Sequence, residues 1–178
     1  MKTLQEVYGR YSQPDRGGDK GTLHSYIEVY EREMTKTSDV DLLEVGVWEG
    51  HSLAMWGEYF RKSRVVGLDV DVSRCRFPVD VRECDATRAE ALDFTLGDDV
   101  FDYIIDDGSH LPSHQVASFG LLWSRMKPGG KYFIEDIAGD DALAVVSQAV
   151  KDAGVEFVVY DLRSQKNRFD DIVLVAYA

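Results

Sequence analysis

The stretch Ile104-Ile-Asp-Asp-Gly-Ser-His110 places carboxylates beside an imidazole, and Ile134-Glu-Asp-Ile137 adds two more carboxylates starting 28 residues after Asp107. Asp107, Glu135 and Asp136 offer three hard oxygen ligands, a set suited to magnesium, manganese or calcium and not to a thiolate-bound metal. His110 follows closely enough after Asp107 to take a proton from a hydroxyl held at such a cation. Both stretches are short apolar runs that turn acidic only at their last residues. Parallel strands of an open α/β sheet end in this way, and chemistry gathers at those ends.

A second group of residues suits a nucleoside-like ligand. Leu42-Leu-Glu-Val-Gly-Val-Trp-Glu-Gly-His-Ser52 sets Gly46 directly after an apolar run and Gly50 at the start of the next helix. A glycine there lets backbone approach a ligand closely, and the helix start, with Ser52 in its first turn, offers free N–H donors to an anionic group such as a carboxylate. Asp69 closes the next run, where a carboxylate can accept both hydroxyls of a ribose. Asp85 closes the third run, where an acid could meet an adenine amino group. Successive acids at strand ends fit adenosine better than a pyrophosphate, which they would repel.

The elements that position these residues follow from the hydrophobic pattern. Residues 13–21 are dense in turn formers and read as a loop. Thr22 is expected to cap a helix whose buried face is Leu23, Tyr26, Ile27, Tyr30 and Met34. Strands are predicted at 41–45, 64–68, 101–105 and 131–134, with a weaker one at 79–84. Helices are placed near 52–60, 113–126 and 140–153, the last stopped by Gly154. Residues 155–162 and 171–177 lack a helical crossover between them and should form an antiparallel hairpin around a polar loop. The fold class is therefore α/β: a mostly parallel, seven-stranded, Rossmann-like sheet with a C-terminal antiparallel strand and helices on both faces.

At 178 residues and 44% hydrophobic composition, the chain reads as a single domain over 1–178, with residues 1–39 forming a loop and helix over a catalytic core at 40–178. No apolar run approaches the roughly 20 residues that cross a bilayer. The start lacks the apolar region of a secretory leader, so a cytoplasmic setting and no membrane partner are expected. Cys75 and Cys84 are two reduced structural cysteines on this reading. A formal charge of -12 opposes nucleic-acid binding and favours a small-molecule partner.

The order Glu44-x-Gly46-x-x-x-Gly50, Asp69, Asp85, Asp106 resembles a class I S-adenosylmethionine-dependent methyltransferase over about residues 40–178. The resemblance implies that Gly46 with Glu44 cradles the methionine part, Asp69 holds the ribose and Asp85 approaches the adenine. Asp-Asp-Gly-Ser-His followed by Pro-Gly-Gly-x-x-x-Ile-Glu-Asp narrows the likeness to the metal-dependent sugar O-methyltransferases of macrolide biosynthesis, the mycinamicin and demethylmacrocin type, and to the group known as cephalosporin hydroxylases. By that likeness Asp107, Glu135 and Asp136 hold magnesium and His110 is the general base. Catechol O-methyltransferase shares the metal spacing but has a lysine in place of His110. The segment Gly18-Asp-Lys-Gly-Thr-Leu-His-Ser-Tyr26 also resembles one that borders the cofactor pocket in that group, which makes Lys20, Gly21, His24 and Tyr26 secondary candidates.

The resemblance implies methyl transfer to a hydroxyl of a small glycosylated or polyhydroxylated molecule. S-adenosylmethionine carries its activation as positive charge on sulfur, so the protein supplies alignment and a deprotonated oxygen. The family builds its acceptor pocket with an additional N-terminal domain, so the pocket here could be completed by residues 13–21, by the basic loop 163–168 or by another subunit of a homo-oligomer. That loop could instead recognise an acidic acceptor. His114 is expected on a helix surface and His51 in the cofactor loop. Two readings compete: a hydroxylase or methoxylation step, and a non-catalytic S-adenosylmethionine-binding subunit. His24, His51, His110 and His114 suggest no iron-type set of two histidines and a carboxylate, and a binding-only subunit has no use for a base.

Overall fold

The computed structural model describes residues 2–13 and 18–178. Residues 14–17 of the loop expected at residues 13–21 lie outside the described residues. The chain runs α1 (Leu4–Tyr11), α2 (Ile27–Glu33), β1 (Asp41–Val45), α3 (His51–Tyr59), β2 (Arg64–Asp69), β3 (Asp80–Glu83), α4 (Ala89–Leu96) and β4 (Phe101–Asp106). It continues through α5 (Pro112–Leu122), β5 (Met126–Ile134), α6 (Gly139–Asp152), β6 (Glu156–Asp161), α7 (Arg163–Lys166) and β7 (Ile172–Tyr177). The strands form a seven-stranded sheet in the order β3-β2-β1-β4-β5-β7-β6. Pairings from β3 through β5 are parallel, and β7 runs antiparallel to both β5 and β6.

Alternation along each strand divides the core. On β4, Ile104 packs with α4, α5 and α6, whereas Tyr103 and Ile105 pack with α1, α2 and α3; Phe101, on the far side of a register shift against β5, joins the first face out of step. On β7, Ile172, Leu174 and Ala176 take the first face and Val173 and Val175 the second. This period of two is why both strands read as continuous apolar runs: each face meets a helical layer. Burying each such side chain contributes about 1.5–3 kcal/mol.

Four expectations need correction. The helix expected from Thr22 begins only at Ile27. The amides of Thr22, Leu23 and His24 all donate to the Asp19 carbonyl, which closes a turn and leaves Leu23 partly exposed. α1 was not foreseen, although Thr3 and Glu6 form a capping box and Leu4, Val7 and Tyr8 make its buried face. α4, also unforeseen, buries only Leu92 and Leu96. β5 starts at Met126, five residues before Lys131, because the chain bulges against β4 between the pairs Phe101–Met126 and Tyr103–Lys131. Cys75 and Cys84 are free. No helix among the described residues is long and apolar enough to cross a membrane.

Candidate active site

A cavity of about 630 Å³ opens at the carboxyl ends of β1 to β4. Its apolar wall includes Leu68, Val70, Cys84 and Ala86, and its polar lining includes Asp69, Asp85, Thr87, Asp106, Asp107, His110 and Asp136. The turn after β1 is built around Gly46, whose φ of +87° favours glycine. Asp69 organises this turn: its Oδ2 accepts from the amides of Val47 (2.8 Å) and Trp48 (2.9 Å), and its Oδ1 from Asp71 (2.9 Å). One lone pair of Oδ1 remains for a ligand. Asp85 is braced likewise by the Thr87 amide and hydroxyl at 3.0 and 2.6 Å.

Several expected cofactor residues stand behind the cavity wall. Glu44 is fully buried and accepts from the Ser52 hydroxyl at 2.8 Å, so only Ser52 of this pair reaches the lining. Gly50 caps α3 with a φ of +89° and packs on Cys75 instead of lining the cavity. Asp106 does reach the cavity, but its carboxylate accepts from the Ser118 hydroxyl and the Gly108 amide. Burial raises its pKa to about 6 against those hydrogen bonds. Trp48, half-exposed beneath the Arg74 guanidinium at 4.2 Å, and Val70 also line the cavity; neither was singled out by sequence. His114, expected on a helix surface, faces the cavity and meets the Ser109 hydroxyl at 2.8 Å. His51 opens α3 and packs edge-on against Phe77.

The acidic end gathers Asp107, His110 and Asp136, whose ligand atoms lie within 4.8 Å of one another. β4 and β5 are hydrogen-bonded neighbours, and the Glu135 amide donates to the Asp106 carbonyl at 3.0 Å, which brings the two acidic turns together. His110 Nε2 is 3.2 Å from Asp107 Oδ1 and 3.5 Å from Asp136 Oδ2. His110 and Asp136 both have left-handed backbone, with φ of +57° and +52°, a conformation that concentrates at functional sites. Burial acts against the charged imidazole, but the hydrogen bond and charge of Asp107, with Asp136 behind, raise His110 to about 9. Burial and the neighbouring acids raise Asp136 to about 8. Lys20 and His110 overcome the burial of Asp107 and bring it down to about 2.

Glu135 lies outside that close group. Its Oε2 binds the Lys20 ammonium at 2.6 Å, and its buried Oε1 has no hydrogen-bond partner among the described residues. Lys20 also binds Asp107 Oδ2 at 2.7 Å and faces Glu44 Oε1 at 3.5 Å. The Tyr26 hydroxyl donates to Asp136 Oδ1, and His24 Nδ1 stands 3.1 Å from the same oxygen. Lys20 and Tyr26 therefore sit behind the acids and do not line the cavity. His24 and His110 flank opposite oxygens of Asp136, and His24 is not in the close group. Asp171, fully buried, holds the Ser25 amide at 3.1 Å, a role not read from sequence.

Loop 163–168 contains the short α7 and has its cations engaged. Arg163 pairs with Asp140 and Asp161, Arg168 pairs with Asp170, and Lys166 donates to the carbonyls of Gly21 and His24. This argues against free cations awaiting an acidic acceptor.

No family model matches the chain. The chain is 37% identical over 135 residues to 8-demethyl-8-alpha-L-rhamnosyl tetracenomycin-C 2'-O-methyltransferase of Streptomyces olivaceus, covering 68% of this chain and 35% of that protein. It is 35% identical over 146 residues to mycinamicin VI 2''-O-methyltransferase of Micromonospora griseorubida, covering 75% and 36%. Among solved structures it is similar to the MycE methyltransferase of mycinamycin biosynthesis in complex with Mg, SAH and mycinamycin VI. That match has a TM-score of 0.64 and 35% identity, covering 76% of this chain and 37% of the other. The chain thus spans about a third of the length of the curated relatives it matches.

Proposed function

We propose that this chain, which belongs by fold and sequence likeness to the class I S-adenosylmethionine-dependent methyltransferases, transfers a methyl group to a hydroxyl of a small glycosylated or polyhydroxylated acceptor. The carrying observation is the Asp107, His110 and Asp136 group opening onto the same cavity as the Gly46 turn. The residues fit a hard divalent cation: carboxylate oxygens of Asp107 and Asp136 converge, and among the described residues the buried Oε1 of Glu135 has no partner. Asp107, Asp136 and Glu135 would hold magnesium, or manganese or calcium in its place. The cavity wall from Gly46 to Asp69, Asp85 and Ser52 would hold the cofactor. When bound, S-adenosylmethionine supplies an electrophilic methyl, and the cation lowers the pKa of a hydroxyl.

His110 is the proposed base, receiving the acceptor proton at Nε2. A cation held by Asp107 and Asp136 would offset the negative charge that otherwise keeps the ring protonated, and so leave Nε2 free to accept a proton. The contact of His110 Nε2 with Asp107 Oδ1 at 3.2 Å orients the ring. The described residues are read as one domain.

Mass spectrometry of S-adenosylhomocysteine formed with a panel of glycosylated and polyhydroxylated acceptors, with and without EDTA, tests the proposal. Turnover that stops with chelator and returns with magnesium is the expected result. Binding of S-adenosylhomocysteine without turnover on any acceptor would favour a binding subunit, and chelator-insensitive turnover would remove the cation.

A further inference from the structure

The acids of the site are gripped from one side by a segment outside the sheet, and a loop more than 140 residues away in sequence holds that segment. Lys20 takes one oxygen of Asp107 and one of Glu135, while Tyr26 takes one oxygen of Asp136. The second oxygens of Asp107 and Asp136 are left toward His110, and the second oxygen of Glu135 has no partner among the described residues. The grip therefore determines which oxygens remain for a ligand.

The turn that carries the grip closes on the Asp19 carbonyl, and the carbonyls of Gly21 and His24 go to Lys166. Arg163 and Arg168, its neighbours in the loop, pair with acids; Lys166 uses its charge on two backbone oxygens. A lysine ammonium has three donors and can hold both at once.

We propose that Lys166 is a positioning residue for the cation site, acting through the Gly21 and His24 carbonyls on the segment that orients Asp107, Glu135 and Asp136. The inference rests on the reading that these acids hold a divalent cation. Residues that orient ligands from behind typically change metal affinity about 10- to 100-fold when removed.

Two measurements on the full chain test it: Mn2+ titration followed by electron paramagnetic resonance, and hydrogen exchange of residues 22–26. Lys166→Met removes the donors with little change in length, and Lys166→Arg keeps charge and donors. In Lys166→Met, Mn2+ binding weakens by about tenfold and residues 22–26 exchange faster. Lys166→Arg recovers most of both, and S-adenosylhomocysteine affinity is unchanged in each variant. Wild-type Mn2+ affinity in Lys166→Met, equal weakness in both variants, or parallel loss of S-adenosylhomocysteine binding overturns the proposal. A wild-type chain that binds no Mn2+ overturns the cation reading instead. The proposal then falls with it, and faster exchange in Lys166→Met would show only that Lys166 anchors residues 22–26.

Discussion

Gly46 and Asp107 meet backbone to backbone: a Cβ added at Gly46 would stand 1.9 Å from the Asp107 carbonyl oxygen. The glycine that sequence reading assigned to ligand approach thus also seats the turn after β1 against the turn after β4, joining the two halves of the site. Gly46→Ala must shift one turn and strain its own φ, so we expect it to destabilise the chain by about 1–3 kcal/mol. Urea unfolding and calorimetry with S-adenosylhomocysteine check this. An alanine variant with unchanged stability and affinity would show that the turns move apart freely.

His110→Ala is expected to keep S-adenosylhomocysteine binding, because the glycine turn and Asp69 do not depend on the ring. Turnover should fall by about 10²- to 10⁴-fold, the range for loss of a general base. A variant with full activity refutes the base assignment.

Lys20→Met leaves Asp107, Glu135 and Glu44 facing one another without the ammonium that now lies 2.6 to 3.5 Å from each. Removing one partner from a buried ionic group is expected to cost about 3–5 kcal/mol. Because the acids are left with uncompensated charge, magnesium should raise the melting temperature of this variant more than that of the wild type. Equal magnesium responses would contradict that account.

At the opposite end of the sheet, burial disfavours the Asp102 charge, but the Asp41 amide, Lys36 and Lys127 lower its pKa below 3.8. Arg64 and Lys127 do the same for Asp41. Both carboxylates release their protons more readily folded than unfolded. Their contribution is complete above about pH 4 and is lost as pH falls through the lowered folded values. Urea melts from about pH 5 to about pH 3 should show wild-type stability falling toward acid. Asp102→Asn should begin less stable and lose less over that interval; parallel slopes would remove Asp102 from the acid transition.

The sheet was legible because β1, β4 and β7 are buried on both faces and so appear as apolar runs, and because acids close β2 and β4. The proximity of Asp107 and Asp136 follows from that legibility: neighbouring parallel strands ending in acids must bring them together. What lies between the strands was harder to read. α1 offered only a capping box and one turn of apolar spacing, and the turn at 19–24 depends on amides converging on a single carbonyl, which no side-chain pattern announces. Sequence placed Lys20 and Tyr26 beside the cofactor because their segment resembles one that borders it. The structure sets them behind the acids, a contact across more than 85 residues that periodicity cannot report.

β7 lies in the interior of the sheet, between β5 and β6, although it follows both in the chain. During synthesis, β5 must therefore wait with an open edge until residues 172–177 leave the ribosome, and β6 has no sheet neighbour before then. The nascent chain is most exposed to wrong pairing in that interval, which closes when β7 fills the gap between β5 and β6.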